Sequence, residues 1–316
     1  MTSQQPHRAL VTGAAGFLGS HMVDHLLALG YDVIGVDNLQ AGVAANVPDN
    51  PRLRFIVGDV RQRDWWPQLE GRLDRIFHYA ANASVPFSTT DPEYDCSTNI
   101  LGTLAMLDLA RATGARLTFI SSAAIYGTPD VVPTPESHGA SPISVYGVSK
   151  LAGEGLVRFY ATNHDVDTRI VRYFNCYGPR QPRYVLFDYL TRAEQRDGPF
   201  EVLGTGAQRR TQLFCSDAVR AAHLISERGD SAPYNVGSSE VYTVLDIATQ
   251  VLTVTGQPDR RIVTTGTSWP GDIQVLQPSL ARVRALGWAP TVTLSDGLAE
   301  VYRWWNDRAQ KSVLAA

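Results

Sequence analysis

Short apolar runs alternate with longer amphipathic segments along roughly the first 175 residues of the chain. Each run holds four to six mostly apolar residues and ends in a small or polar residue: RALVTG, DVIGVD, LRFIVGD, RIFHYA, RLTFISS and TRIVRYFN. Runs of this kind are typical of strands that are buried on both faces of a parallel sheet. The pattern therefore predicts a strand at each of these positions.

The segments between these runs carry apolar residues at helical spacing, at about residues 17–29, 92–113 and 144–163. Strands that alternate with helices imply right-handed βαβ units. We therefore predict an α/β fold built on a doubly wound, parallel, Rossmann-like sheet with helices on both faces.

After about Asn175 the rhythm changes, because Pro and Gly become frequent and short strands are interspersed with helices at 244–255 and 294–307. This pattern predicts a smaller mixed α/β part that packs on the C-terminal side of the sheet. We expect residues 1–175 to form the first domain and 176–316 mainly the second, with segments near 210–240 returning to the first.

The charge balance gives no reason to expect nucleic acid or an anionic membrane as a partner, since the net charge is -3 with 19% charged residues. No apolar run reaches the roughly 20 residues of a membrane span, and the N-terminus lacks the apolar core of a signal peptide. We therefore expect a cytoplasmic protein. Cys96, Cys176 and Cys215 are far apart and odd in number, which argues against a disulfide framework and a zinc site. They are expected to be reduced, packed thiols, and no metal site is predicted.

A glycine-rich turn, TGAAGFLGSH, directly follows the first predicted strand and spaces Gly13, Gly16 and Gly19 as G-x-x-G-x-x-G. Glycines there allow a tight turn and a close approach of the backbone to a pyrophosphate. Asp37 ends the second strand about 20 residues on, where a carboxylate binds the ribose hydroxyls and favours NAD over NADP. Asp59, after the third strand, fits an acceptor for the adenine edge. A turn without a ligand is the alternative, and the surrounding strand and helix favour a dinucleotide site.

Tyr146 and Lys150 stand four apart on a predicted helix, so the phenol and the ammonium share one face. Ser122 ends the fifth predicted strand, and all three would meet at the carboxyl end of the sheet, where open α/β folds bind ligands. A Tyr packed on its neighbours beside a solvated Lys is the alternative interpretation of this spacing alone.

With these motifs the chain resembles the extended short-chain dehydrogenase/reductase superfamily, in its nucleotide-sugar epimerase and dehydratase branch, which includes UDP-galactose 4-epimerases. The resemblance runs from about Leu10 to about Trp305. It rests on short matches in the right order: the glycine turn, ASV, DPEYDCSTNILGT, SSAAIYG, SPISVYGVSK, RYFNCYGPR, GTGAQRR, YNVGS and PGD.

The resemblance implies that the first domain binds NAD and the second mainly a sugar nucleotide. It selects Ser122 as the catalytic serine beside Tyr146 and Lys150. Because Lys150 and the nicotinamide are both positive, we expect the pKa of Tyr146 to lie well below that of a free phenol, so that it can act as the base. The residues that the resemblance assigns to NAD are Gly13, Gly16, Phe17, Leu18, Asp37, Asn38, Asp59, Val60, Ala80, Ala81, Asn99, Tyr146, Lys150 and Tyr173. Those assigned to the substrate are Ser84, Ser122, Asn175, Leu203, Arg210, Trp269 and Asp272.

The diphosphate site matches the family in part. The resemblance assigns the Asn175 amide and the Arg210 guanidinium to the phosphates. The family usually continues with an acidic and an aromatic residue after this Arg, whereas Thr211 and Gln212 occupy these positions here.

Near Pro-Gly-Asp the chain departs again, because Trp269 stands where the family commonly has a second Arg. Trp269 could stack on a flat group while Arg180 or Arg183 meets the phosphate charge. Asp272 is expected to bind a ribose hydroxyl. Leu276 stands where the family limits the room beside the sugar, and its middling size neither excludes nor implies N-acetyl sugars.

The two residues directly after Ser122 predict the type of reaction. Related 4,6-dehydratases carry an Asp-Glu pair and uronate decarboxylases a Glu there, whereas this chain has Ala123 and Ala124. The simplest mechanism left is that of a 4-epimerase that acts through a transient 4-keto sugar, with a UDP-sugar as the expected substrate. A decarboxylase, a dehydratase or a 4-ketoreductase of the same family is the alternative. A non-catalytic NAD-binding protein is disfavoured because the Ser, Tyr and Lys are all present.

The helices near 92–113 and 144–163 resemble the pair that forms the dimer interface in family members. We expect a homodimer in which Leu104, Leu107, Leu151 and Phe159 face outward. Packing of these residues on their own sheet is the alternative.

Overall fold

A computed structural model describes the backbone of residues 7–267 and 275–314, and the side chains as far as residue 307. The strands in chain order are β1 (Arg8–Thr12), β2 (Asp32–Asp37), β3 (Leu53–Val57), β4 (Arg75–His78), β5 (Arg116–Ser122), β6 (Thr168–Tyr173), β7 (Cys176–Tyr177), β8 (Phe200–Val202), β9 (Arg209–Thr211), β10 (Leu213–Phe214), β11 (Pro233–Val236), β12 (Val241–Thr243), β13 (Ile262–Thr264) and β14 (Val275–Leu276). The helices are α1 (Phe17–Ala28), α2 (Val85–Thr90), α3 (Pro92–Cys96), α4 (Gly102–Thr113), α5 (Val145–His164), α6 (Val185–Glu194), α7 (Cys215–Arg228), α8 (Val244–Val254), α9 (Ala281–Ala285) and α10 (Leu294–Leu314).

A seven-stranded parallel sheet forms the centre of the fold, in the order β11-β6-β5-β4-β1-β2-β3. The chain runs outward from β1 through β2 to β3 and then returns to β4 on the other side of β1. This reversal opens a crevice at the carboxyl ends of β1 and β4. The predicted doubly wound α/β fold is confirmed.

Both faces of the sheet are covered, which explains why its strands read as continuous apolar runs. Successive side chains of a strand point to opposite faces. On one face Val11 of β1 packs in a core with Met22 of α1 and Ile225 of α7. On the other face Leu10 packs in a core that includes Met106 of α4 and Val157 of α5.

The C-terminal part holds a separate core beside small sheets of two or three strands. Residues such as Tyr189 of α6, Phe200 of β8 and Val251 of α8 are buried there. β11 lies within the segment 210–240 and pairs with β6 in the central sheet. The domain boundary at residue 175 stays a prediction.

The segment predicted as one helix over 92–113 contains a wider turn. α3 is followed by one π-helical stretch, Ser97–Leu101, before α4 begins at Gly102. Such a widening is frequently found at functional sites. It carries Asn99 into the interior of the protein, where this side chain is 1% exposed.

One of the predicted outward residues lies in the core. Leu107 is fully buried, because it belongs to the face of α4 that packs on the sheet, so its prediction as an interface residue is wrong. Leu104 and Leu151 are partly buried against their own protein, and Phe159 is 52% exposed. Leu101 is also more than half exposed.

In the described part of the chain, no helix is both long enough and apolar enough to cross a membrane. Cys96, Cys176 and Cys215 are free thiols. No group of three or more His, Cys, Asp or Glu among the described residues is placed to hold a metal ion.

Candidate active site

The glycine-rich turn connects β1 to α1 with little room for side chains. The Gly13 amide donates to Val36 O at 2.8 Å, and Gly13 has a φ of 70°. A Cβ at Gly13 would lie 2.8 Å from Ala80 N, and a Cβ at Gly19 would lie 1.9 Å from Gly13 O. These glycines therefore let the turn pass close to the start of the loop after β4 and let α1 approach it.

The first amides of α1 are the candidate pyrophosphate site. The helix begins at Phe17, followed by Leu18, and Gly16 precedes it without a side-chain cap. Uncapped amides at a helix N-terminus, together with the helix dipole, favour an anion. The amides of Gly13 and Gly16 themselves donate to Val36 O at 2.8 Å and to Gly13 O at 3.0 Å, so the phosphate contacts of these two glycines stay a prediction.

Asp37 is fixed beside the glycine turn by backbone donors. Its carboxylate accepts from Ala15 N at 3.0 Å and from Leu39 N at 2.8 Å. A Cβ at Gly42 would lie 2.6 Å from Asp37 Oδ1, so the next loop also passes close to the carboxylate. Burial raises the pKa of Asp37, and these backbone hydrogen bonds oppose that rise. The carboxylate is held where the sequence predicts a ribose contact.

Asp59, the predicted adenine contact, has a charged protein partner that sequence reasoning missed. Arg61 hydrogen-bonds both of its carboxylate oxygens, at 2.9 and 2.7 Å, and Asn38 Nδ2 donates to it at 3.0 Å. The Arg61 hydrogen bonds lower the pKa of Asp59 to about 2. Val60 is buried against Gly102. The adenine role of Asp59 stays a prediction, and Asn38 and Arg61 hold its carboxylate in place.

Ser122, Tyr146 and Lys150 come together at the carboxyl end of β5. Ser122 ends this strand, and its hydroxyl is near enough to the Tyr146 hydroxyl to lower the pKa of that phenol. Tyr146 lies in the first turn of α5, where Ser144 caps the helix by accepting from Gly147 N at 3.1 Å. Lys150 comes one turn later, with Nζ 5.9 Å from the centre of the Tyr146 ring. The spacing that predicted a shared face therefore produces one site.

Lys150 is an ammonium group held inside the protein. The side chain is 3% exposed, and Nζ donates to Ile120 O at 2.9 Å. Burial lowers the pKa of Lys150 to about 8, while the carboxylates of Asp95 and Glu154 oppose the fall. The chain has only two lysines, Lys150 and Lys311, so nearly all of its cations are arginines. An Arg could not replace Lys150 equivalently, because a guanidinium does not titrate in this range.

In the protein without NAD, the pKa of Tyr146 lies above that of a free phenol, whereas the sequence analysis predicts a value below it. Burial raises this pKa above that of a free phenol, and the hydrogen bond from Ser122 only partly opposes the rise. Asp95 and Tyr184 raise it further. The nearby Lys150 ammonium therefore does not bring the pKa of Tyr146 below that of a free phenol, and the predicted fall depends on the positive charge of a bound nicotinamide.

The loop after β4 carries Ala80 and Ala81, which are both partly buried. Hydrogen bonds from Asn99 hold this loop in place. Asn99 Oδ1 accepts from Asn82 N at 2.8 Å, and its Nδ2 lies 3.2 Å from Asn82 O and 2.9 Å from Ser149 Oγ. Because both ends of this amide have protein partners, Asn99 is placed to shape the predicted cofactor site rather than to contact the cofactor with a free donor.

Two other predicted contact residues, Tyr173 and Ser84, also form hydrogen bonds within the protein. The hydroxyl of Tyr173 donates to Ala218 O at 2.7 Å. Ser84 is buried and caps α2 by accepting from Phe87 N at 3.3 Å, so its own hydroxyl proton is left for a further acceptor.

The predicted phosphate ligands belong to different elements. Asn175 comes shortly after β6, and its carbonyl accepts from Leu213 N at 2.8 Å. Arg210 lies in β9, between Tyr242 of β12 and Leu276 of β14. Leu203, at the end of β8, is 51% exposed.

The structure shows the surroundings of several residues at the positions where the chain departs from the family pattern. Thr211 and Gln212, where the family has acidic and aromatic residues, are both buried. Arg180 pairs with Asp24 of α1 at 2.7 Å, so its charge is already balanced, which disfavours it as a substitute phosphate ligand. Trp269 and Asp272 lie outside the described residues.

Tyr184 is a candidate site residue that sequence reasoning missed. Its φ is 84°, which is rare for a bulky residue, and its hydroxyl donates to the carbonyl of Ala83. Ala83 precedes the predicted substrate contact Ser84, and Tyr184 is close enough to influence the pKa of Tyr146. No sequence signal indicates a positive φ in a Tyr, so only the structure identifies it.

Comparison with known proteins agrees with this geometry. The model of the NAD-dependent epimerase/dehydratase family matches residues 9–237. The chain is 32% identical to a UDP-glucose 4-epimerase of Mycolicibacterium smegmatis, over 96% of this chain and 100% of that protein. It is 35% identical to UDP-glucuronic acid decarboxylase 4 of Arabidopsis thaliana, over 95% of this chain and 69% of that protein.

A crystal structure of a UDP-glucose 4-epimerase of Thermotoga maritima with UDP-glucose superposes with a TM-score of 0.89 at 33% identity, covering 96% of this chain and 99% of that chain. The family match extends over the glycine turn, Asp37, the Ser-Tyr-Lys group and Asn175. The chain therefore belongs to the NAD-dependent epimerase/dehydratase family, and NAD is its cofactor.

Proposed function

We propose that this protein is a nucleoside-diphosphate-sugar 4-epimerase that acts on a UDP-sugar through a transient 4-keto sugar. The observation that carries this proposal is the turn after Ser122. Ala123 is buried in a small apolar cluster and Ala124 is partly buried, so neither position supplies a proton donor or acceptor. A sugar oxidised at C4 therefore meets no further acid or base from this turn.

The side chains divide the proton chemistry between them. Tyr146 takes the proton of the sugar hydroxyl and later returns it, as general acid–base catalysis requires. Ser122, whose hydroxyl lies near that of Tyr146, orients the same oxygen of the sugar. The Lys150 ammonium stabilises the phenolate electrostatically. NAD, which Asp37 and the first amides of α1 would hold, would supply reversible hydride exchange at C4 and would not be consumed. The configuration at C4 changes because the 4-keto sugar turns its other face toward the cofactor site before it is reduced.

The substrate is proposed to lie between the Ser122–Tyr146 pair and the second domain. Asn175 and Arg210 would bind the diphosphate, the amide as a donor and the guanidinium as a fork on two oxygens. Ser84 and Tyr184 border the sugar side, since Tyr184 bridges to the residue before Ser84. The UDP assignment is supported by the relatives named above, whose names specify UDP-sugars.

UDP-glucuronate decarboxylation is the second candidate, favoured by the 35% identity to the plant decarboxylase. Ala124 argues against it, because related decarboxylases carry a Glu at this position. The variant Ala124→Glu, which restores that Glu, therefore serves as the matched control: it should favour decarboxylation over epimerisation.

The test uses purified protein without added cofactor, incubated separately with UDP-glucose, UDP-galactose and UDP-glucuronate. Chromatography should show interconversion of C4 epimers by the native protein and its loss in Tyr146→Phe. Release of CO2 and formation of a UDP-pentose by the native protein would replace the epimerase proposal by the decarboxylase one.

We also propose that the protein is a cytoplasmic homodimer. The outer faces of the π-helical stretch and α5 expose apolar side chains, with Leu101 55%, Val148 50% and Phe159 52% exposed. Apolar residues grouped on neighbouring helices fit the interface between two copies of the chain.

A further inference from the structure

Asp95, on α3, is a fully buried carboxylate that the reaction described above does not use. Its Oδ1 accepts from Ser149 Oγ at 2.6 Å. Its Oδ2 accepts from Asn82 Nδ2 at 2.9 Å and from Asn99 Nδ2 at 3.1 Å. All three contacts are donated to Asp95, as suits an ionised carboxylate, which can only accept.

These three partners are neutral, so they satisfy the oxygens of Asp95 without balancing its charge. A buried charge is costly unless a charge of the opposite sign is near. Within the described residues, no Lys, Arg or His lies at ion-pair distance from Asp95. The electrostatic partner must therefore act from farther away. Ser149, which donates to Asp95 at 2.6 Å, directly precedes Lys150 on α5, and this contact brings the buried Lys150 ammonium near the carboxylate. The charge of Asp95 opposes the fall in the pKa of Lys150.

The other charged or titratable groups around Lys150 do not take this role. Glu154, on α5, is bound by Arg172 through both oxygens, at 2.8 and 2.7 Å, so its charge is matched. His78 of β4 is neutral, because burial lowers its pKa to about 3. Asp95 is thus the carboxylate near Lys150 that lacks an arginine.

Arg158 and Tyr146 are two further charged or titratable groups near Lys150. Arg158 adds a second cation to Glu154, at 3.0 Å. Tyr146 is neutral in the protein alone, because burial raises its pKa and disfavours its phenolate. Neither group offsets the charge of Asp95.

The contacts of Asp95 also connect the two sides of the site. Ser149 directly precedes Lys150, and its hydroxyl lies 3.0 Å from Tyr146 O. On the other side, Asn82 Oδ1 accepts from Ser84 N at 3.3 Å, within the loop that borders the predicted cofactor and sugar. A chain of hydrogen bonds therefore runs from the loop after β4 through Asp95 to α5.

We propose that Asp95 is a positioning residue whose buried negative charge keeps Lys150 protonated and whose hydrogen bonds hold the catalytic helix against the loop after β4. Asp95 touches neither substrate nor the reacting atoms and acts through Lys150. The inference rests on the proposed use of Lys150 in proton transfer, and its first test does not depend on turnover.

The substitution Asp95→Asn removes the charge while it preserves the contacts. The Asn oxygen can accept from Asn82 and Asn99, and its NH2 can donate to Ser149. Glu93→Gln removes the same charge from an exposed position on the same helix and serves as the matched control.

The two-lysine composition makes the protonation of Lys150 directly measurable. Protein labelled with ¹³C-lysine gives two sets of Cε signals, which Lys311→Arg assigns. In the native protein the Lys150 signal is expected to titrate near pH 8. In Asp95→Asn the midpoint should move to lower pH by about one pH unit or more, since a nearby opposite charge is worth that much. A midpoint within about 0.3 pH units of the native one, or an equal movement in Glu93→Gln, would overturn the inference.

Kinetics provide the second readout. Activity should fall as pH rises through the pKa of Lys150, so the alkaline limb of kcat in Asp95→Asn should move to lower pH by the same amount as the NMR midpoint. Ser149→Ala keeps the charge and breaks the tether, so it should lower kcat with the limb unmoved. An unmoved limb in Asp95→Asn would contradict the role in turnover.

The tests separate the inference from the proposed function. If no UDP-sugar is turned over, the NMR titration still decides whether Asp95 holds Lys150 protonated. If Asp95→Asn does not fold, Asp95→Ser is the second variant, since it is neutral and keeps an acceptor for the two amides. The same movement of the Lys150 midpoint is expected, and its absence again overturns the inference.

Discussion

Replacing Lys150 by Met is expected to stabilise the protein at neutral pH while it abolishes turnover. Lys150 is 3% exposed and its pKa falls from an ordinary 10.5 to about 8, so holding this charge in the interior destabilises the folded state. Methionine has nearly the same length and no charge, and it removes this cost.

The magnitude is set by the pKa change. A fall from 10.5 to about 8 corresponds to about 3 kcal/mol of unfolding free energy. Met also loses the hydrogen bond to Ile120 O, which costs about 1 kcal/mol. The net expectation is a gain of about 2 kcal/mol at pH 7.

The difference in stability between Lys150→Met and the native protein is expected to change sign with pH. The unfolded chain binds more protons than the folded one between pH 8 and 10.5, so native stability rises with pH in this window. The methionine variant lacks this rise. Its advantage should therefore be full below pH 8, shrink above it, and turn into a deficit of about 1 kcal/mol near pH 10.5.

Urea unfolding of cofactor-free protein at pH 7 and pH 9.5 measures both values, since bound NAD would stabilise the native state by itself. Tyr146→Phe, at the same site, keeps Lys150 and should keep the native pH dependence. A Lys150→Met variant that is less stable than native at pH 7, or whose difference from native does not change with pH, would refute this reasoning.

Three further predictions address the cofactor, the sugar side and the assembly. Asp37→Ala should reduce the NAD that copurifies with the protein several-fold, as measured by release and chromatography, whereas Asp32→Ala, at the start of the same strand, should not. Equal NAD occupancy in both variants would contradict the ribose contact of Asp37. Tyr184→Gly should raise KM several-fold without loss of thermal stability, because a Tyr at a φ of 84° is strained by about 1 to 3 kcal/mol; a destabilised variant with native KM would show that the residue is only structural. Phe159→Glu should convert a dimer into a monomer in sedimentation at micromolar concentration, whereas Val57→Glu, on a distant exposed strand, should not; a native protein of monomer mass would contradict the homodimer.

The sequence predicted those features that repeat along the chain. Strands buried on both faces leave apolar runs, so β1 to β6 were recognisable, whereas β11 has four residues, two of them Pro and Asn, and was not predicted as a strand. The four-residue spacing of Tyr146 and Lys150 also survives in the fold, because α5 is regular from Val145 to His164.

Features that depend on burial or on unusual backbone geometry were not predictable. Asp95 resembles an exposed acidic residue near a helix N-terminus, and only the wide turn after it and the packing of α5 enclose it. The outward direction of Leu107 was wrong because α4 carries apolar residues on more than one face. The raised pKa of Tyr146 depends on how deeply its hydroxyl is enclosed, which spacing does not reveal.

Proton NMR of the native protein in D2O with UDP-glucose, UDP-N-acetylglucosamine, UDP-glucuronate, UDP-xylose and GDP-mannose tests the central proposal most directly. The Ser122, Tyr146 and Lys150 site, with Ala123 and Ala124 beside it, predicts interconversion of two C4 epimers of a UDP-sugar with no deuterium incorporated into the sugar. Deuterium at C5, or loss of the C6 carboxylate, would mean that another acid–base group acts on the keto sugar and would contradict the 4-epimerase.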